Sequence, residues 1–209
     1  ESYSDDGSFT SPDKEGHVCY MISVITERLN SDNTRKYYLF LFGDYDYDYI
    51  MKAVKDRRID DSLEINTYVS EEDMLRGFED FFIEYDPTLI SGYNIENFDF
   101  RYIHKRLQKA MVSSVEDIND PNPWNHHMSR HKHNKFIPKL KEASWESSAF
   151  GKNVFYHLCM EGRICIDMLV LVRREYKLKT YSLKAVSKHF FGEDKNKIKI
   201  DLPITETFK

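Results

Sequence analysis

The chain has no apolar run long enough to cross a bilayer. Its longest, Tyr37–Phe42, is six residues, against the ~20 that a spanning helix needs. No membrane partner is therefore expected. The N-terminal residues ESYSDDGSF are polar and acidic, unlike the basic and apolar start of a secretory leader, so an intracellular location is expected. Cysteine is scarce. Cys19, Cys159 and Cys165 are an odd number without CxxC spacing, which argues against a disulfide framework and a zinc ribbon. Cys165 sits between Ile164 and Ile166 and reads as a small core residue. There is no internal repeat.

What is present is an uneven charge. The 209 residues carry 30 Lys+Arg and 35 Asp+Glu, net −5. Residues 1–100 hold 23 acidic and 9 basic side chains, and residues 101–209 hold 12 and 21. An acidic half followed by a basic half points to a charged partner, engaged in part through metal ions.

Strands are expected at Val18–Thr26, Lys36–Phe42, Leu63–Val69 and Thr88–Tyr93, each apolar and short. Ser70, with Asp73 three residues on, opens a helix as a capping box. Met74, Leu75, Phe78, Phe81, Phe82 and Tyr85 recur on its buried face, and Pro87 follows its end. A second helix is expected from about Asn97 to Met111. Residues 112–152 are polar and read as an insertion or long loop. Val154–Met160 and Arg163–Ile166 read as a strand pair, and Asp167–Tyr176 and Ser182–Phe191 as helices, with Asp167 an N-cap. Helix, strand and helix with short links predict an α/β layer fold.

Two metal-binding readings fail on spacing. Asp44, Asp46 and Asp48 lie in GDYDYDYI, but an EF-hand loop needs Gly at its sixth position and Glu at its twelfth. Those positions hold Tyr49 and Lys55, so an acidic loop or strand end is expected. His126, His127, His131 and His133 crowd WNHHMSRHKHNK without the Glu of HExxH or any Cys. With Arg130, Lys132, Lys135, Lys139 and Lys141, that stretch reads as an exposed or phosphate-contacting loop. Arg173, Arg174, Lys177, Lys179, Lys184 and Lys188 are either a solvated helical face or a track for a nucleic-acid backbone.

The most informative segment is Asp86–Arg106, DPTLISGYNIENFDFRYIHKR. A buried strand stops at Gly92, Asn94 and Asn97 flank a turn, and Asp99 falls in the first turn of a helix. Open α/β sheets hold ligands at that edge. On its own, Asp99 is equally an electrostatic cap.

DPTLISGYNIENFDFRYI resembles the second exonuclease motif of family B DNA polymerases, the replicative group that includes eukaryotic polymerase delta and the enzymes of large DNA viruses. GRICIDMLVLVRREYKLKTYSLKAVSKHFFGEDK, Gly162–Lys195, resembles the family's following segment. The resemblance implies a ribonuclease-H-like α/β fold, a mixed sheet flanked by helices (DnaQ-like), forming one proofreading 3′–5′ exonuclease domain over 1–209.

It further implies two Mg²⁺ or Mn²⁺ ions held by four carboxylates. Such ions, ~4 Å apart, activate the attacking water and stabilise the leaving oxygen. Asp99 matches one ligand. Glu1 matches the Glu of the family's Asp-x-Glu pair, whose members share one face of a strand. The partner Asp and a final Tyr-x-x-x-Asp motif are expected outside the sequence, which reads as a piece cut at both ends and inactive alone. Tyr93, Asn94, Asn97 and Phe98 are the expected DNA contacts, the rings stacking on bases of a frayed single-stranded primer end; Phe98 serves equally as core. The remaining polymerase domains are expected in the parent protein, in a nucleus or at a viral replication site. A stand-alone exonuclease and an inactive exonuclease-like scaffold are the alternatives.

Overall fold

The computed structural model describes residues 2–5, 7–28, 35–43, 46–56, 62–114, 122–131, 137–147 and 151–192. The chain divides into two compact units, one holding the described residues up to Phe81 and the other those from Phe82 onward.

In the first unit, β1 (Ser2–Ser4) and β2 (His17–Cys19) pair antiparallel. β3 (Met21–Thr26) runs antiparallel to β4 (Lys36–Phe42). α1 (Tyr47–Asp56) then leads into β5 (Leu63–Tyr68), which lies parallel to β4. A parallel pair needs such a crossover, and a helix supplies it. The three strands form a mixed sheet in the order β3–β4–β5. α2 (Glu71–Tyr85) follows.

The aromatic run of β4 explains its position. Alternate residues Tyr38 and Phe40 are buried. Phe40 meets Phe78 and Phe81 of α2 edge-on, at ring distances of 5.8 and 5.3 Å. Ser70 caps α2 as expected: its Oγ accepts from the Asp73 amide at 3.1 Å and donates to the Asp73 carboxylate at 2.7 Å. The acidic run differs from expectation. Asp46 directly precedes α1 and Asp48 lies in its first turn, where carboxylates oppose the helix dipole. Asp44 is outside the described residues.

The second unit contains β6 (Leu89–Gly92), a π-helical turn (Glu96–Phe100) and α3 (Arg101–Ser114). A 3₁₀ turn (His126–Met128) precedes β7 (Lys139–Ser147) and β8 (Gly151–Cys159), an antiparallel pair. β9 (Ile164–Asp167) leads into α4 (Met168–Glu175) and then α5 (Leu183–Phe191). Asp167 and Ser182 cap the two last helices as expected.

Three local expectations are corrected. The stretch 112–152 is not simply loop, since β7 falls inside it. β8 does not pair with β9: it pairs with β7, while β9 lies parallel to β6. Antiparallel pairing of β8 across a nine-residue register satisfies far more backbone groups than the four-residue β9 offers. Finally, β6 is not buried throughout, because Leu89 is exposed.

The core of this unit is built from Phe100, Ile103, Leu107, Trp124, Met128 and Leu158. Phe100 meets Trp124 edge-on. Asp86 ends α2 in the left-handed region, at φ 53°, a conformation that Asp tolerates better than most residues.

Candidate active site

Asp99 does not lie in the first turn of an α-helix. It sits in the π-helical turn between β6 and α3. The Phe100 amide reaches back to Ile95 O at 2.7 Å, and the Phe98 amide to Asn94 O at 3.0 Å. Such wide turns are frequent at functional sites. The Asp99 side chain is exposed.

Two features shape this turn from within. Asn94 has φ 62°, which Asn adopts at lower cost than other non-glycine residues. Gly92 leaves room for Ile95: a Cβ on Gly92 would stand 2.1 Å from Ile95 Cγ2.

Two further features hold the turn from outside. The buried Asp167 carboxylate accepts from the Asn94 amide at 2.9 Å and the Glu96 amide at 3.3 Å. Asn97 Oδ1 accepts from the Tyr156 amide of β8 at 2.9 Å. Glu96 itself pairs with His157 Nδ1, and the Arg101 guanidinium lies over the Tyr156 ring at 4.5 Å.

The expected DNA contacts are thus gathered in one turn, with differing commitments. Tyr93 donates its hydroxyl to Tyr181 O, and burial raises its pKa. Asn97 spends its amide oxygen on β8. Phe98 is 40% exposed, with its ring 6.2 Å from Tyr102. Glu1 lies outside the described residues.

An exposed carboxylate such as Asp99 has the oxygen chemistry that Mg²⁺ prefers. Among the described residues, however, no three His, Cys, Asp or Glu side chains stand together to hold an ion. The described residues alone therefore do not make a metal centre.

Among its described residues, the His-rich stretch does not form one either. His126 and His127 are exposed on the 3₁₀ turn, and His133 is outside the described residues. Arg130, read as part of an exposed or phosphate-contacting loop, is engaged within the chain. Its guanidinium donates to Asp86 Oδ1 at 2.9 Å, Asp86 O at 2.7 Å and Thr88 Oγ1 at 3.0 Å.

Cys165 is partly exposed as a residue, but burial and the neighbouring Glu96 carboxylate push its thiol up to about 12. That thiol is unreactive at neutral pH. Sequence spacing could not reveal Asp167 as a partner of the turn, because the two lie more than 70 residues apart. Its place at a helix start and its match to a position of the family's following segment were the sequence signals.

Together these observations define a mixed α/β protein that presents an acidic turn where two parallel strands end. The match to known proteins is more specific. The profile of the DNA polymerase family B exonuclease domain matches residues 1–186, and the chain belongs to that family. It is 30% identical over 199 residues to DNA polymerase 037L of Invertebrate iridescent virus 6, and 35% over 197 residues to DNA polymerase 120R of Invertebrate iridescent virus 3. These matches cover 95% and 94% of the chain and 15% of each relative. It is also 34% identical over 134 residues to the DNA polymerase delta catalytic subunit of Mesocricetus auratus, covering 64% of the chain and 11% of that protein. The chain thus spans about one seventh of the iridescent virus polymerases it matches. Among the described residues, no helix is long and apolar enough to cross a membrane.

Proposed function

We propose that this chain is the proofreading 3′–5′ exonuclease domain of a replicative DNA polymerase, with a ribonuclease-H-like fold. The observation that carries the reading is Asp99, an exposed carboxylate on a turn held from two sides, inside the stretch that matches the family. In this reading Asp99 and Glu1 are ligands of Mg²⁺ or Mn²⁺. Bound ions of this kind supply a hydroxide nucleophile and charge stabilisation for phosphodiester hydrolysis.

The substrate is the single-stranded 3′ end of a primer, most readily a mispaired one, since it frays at the least cost. Phe98, the most exposed ring of the turn, stacks on a terminal base. Asn94 and Tyr93, in the same turn, are further contacts to that strand in this reading. The parent protein carries the polymerising domains and works in a nucleus or at a viral replication site.

The test is the full-length protein with Asp99→Ala, assayed on a 3′-labelled single-stranded oligonucleotide with Mg²⁺. Nucleotide release should be abolished while DNA synthesis on a matched primer is retained. Undiminished release from this variant would overturn the assignment.

A further inference from the structure

We propose that Asp167 is a positioning residue for the Asp99 carboxylate, a role that rests on the exonuclease reading above. Asp167 closes β9 directly beside Gly92, its register partner at the end of β6. From there its side chain reaches the turn that carries Asp99.

Capping α4 requires little of Asp167. One oxygen suffices for the Leu169 amide, which Oδ1 accepts at 2.9 Å, and Ser, Thr or Asn would do as well. Asp167 does more. The same Oδ1 takes the Asn94 amide, and Oδ2 takes the Glu96 amide. At 5% exposure, a carboxylate is costly to bury unless it is well hydrogen-bonded. Here both oxygens are used, two of the three donors come from the turn, and these bonds run between segments more than 70 residues apart.

The two turn bonds hold parts that the backbone alone leaves weakly determined. Asn94 is in the left-handed region. Glu96 opens the π-helical turn, and the residue before it provides no side-chain cap. Asp167 supplies that cap from a neighbouring strand. Three residues beyond Glu96, Asp99 takes its direction from the turn so fixed. A shift of ~1 Å in a reacting group lowers turnover by about 10²-fold.

Asp167→Asn separates positioning from capping. Its single oxygen, placed at Oδ1, keeps the Asn94 and Leu169 bonds. Its NH₂ then faces the Glu96 amide, and that bond is lost. In the full-length protein, Asp167→Ala should lower exonuclease kcat by about 100-fold and Asp167→Asn by about 10-fold, with KM for a single-stranded oligonucleotide within about 2-fold. Ser182→Ala removes the equivalent cap of α5 without touching the turn and should leave kcat unchanged.

Amide hydrogen exchange gives a second readout that needs no activity. In Asp167→Asn, protection should fall at Glu96 and persist at Leu169. Wild-type kcat and wild-type Glu96 protection in Asp167→Asn would overturn the inference, even if Asp167→Ala fails to fold. Full activity in Asp99→Ala would instead overturn the exonuclease reading, and the exchange result would still decide whether Asp167 holds the turn.

Discussion

Gly92 and Ile95 stand so close that a Cβ on the first would lie 2.1 Å from Cγ2 of the second. The contact is at the exit of β6, where the chain turns toward Asp99. Ile is branched at Cβ and has little rotamer freedom with which to give way.

Gly92→Ala should therefore displace the turn. Overpacking of this kind costs about 1–3 kcal/mol, read as a lower denaturation midpoint, and exonuclease turnover should fall with it. In an Ile95→Ala background the same substitution should cost much less. Additive costs in the double-mutant cycle would show that the contact is not what excludes a side chain at position 92.

His104 makes stability depend on pH. It lies on α3 with its ring 6.0 Å from that of Trp124, and its buried Nδ1 has no hydrogen-bond partner among the described residues. Burial, and secondarily the Lys105 charge, lowers its pKa from 6.5 to about 4. A pKa lowered on folding means that the unfolded chain binds the proton more tightly. The stabilisation is present above pH 6.5 and is lost as pH falls toward 4. Its upper bound is on the order of 3 kcal/mol, reduced by solvent screening at a partly exposed ring. Chemical denaturation at pH 7 and pH 4.5 should show the loss, and His104→Gln should shrink it.

Asp86 joins three segments. It accepts from Arg130 Nε at 2.9 Å and from an Arg163 Nη at 2.7 Å, and the Arg130 hydrogen bond, with help from Arg163, lowers its pKa despite some desolvation. Arg163 is the buried partner, its side chain 2% exposed, and it also donates to Met128 O and Pro87 O. Asp86→Ala should cost about 1–3 kcal/mol, chiefly by removing an acceptor from a buried guanidinium. Asp86→Asn keeps an oxygen there and should cost less. Thermal denaturation of the two variants checks the order.

Much of the fold was legible in local pattern. The alternation in KYYLFLF marked β4, Ser70 with Asp73 marked the start of α2, and Ser182 marked that of α5. These depend on neighbours a few residues away, so spacing carries them. The pairing of β8 was not legible, because either neighbouring strand suits its apolar pattern and only register and length decide. Helix α1 was legible as well, since Tyr47, Ile50, Met51 and Val54 recur at helical spacing, although the Asp–Tyr alternation just before them reads as a loop or strand end.

For the site, the sequence by itself determined the turn: Gly92, Asn94, Asn97 and Asp99 follow one another, and their order carries the resemblance to the family. Tertiary structure alone decided how that turn is held. Asp167 lies 68 residues beyond Asp99 in the chain, yet its carboxylate binds the turn, because parallel pairing of β6 with β9 ends both strands at the same level. Asn97, read from sequence as a DNA contact, accepts from the Tyr156 amide of β8, a neighbour that no spacing in the sequence announces. A buried amide must find an acceptor, and which acceptor is near is a property of the folded chain.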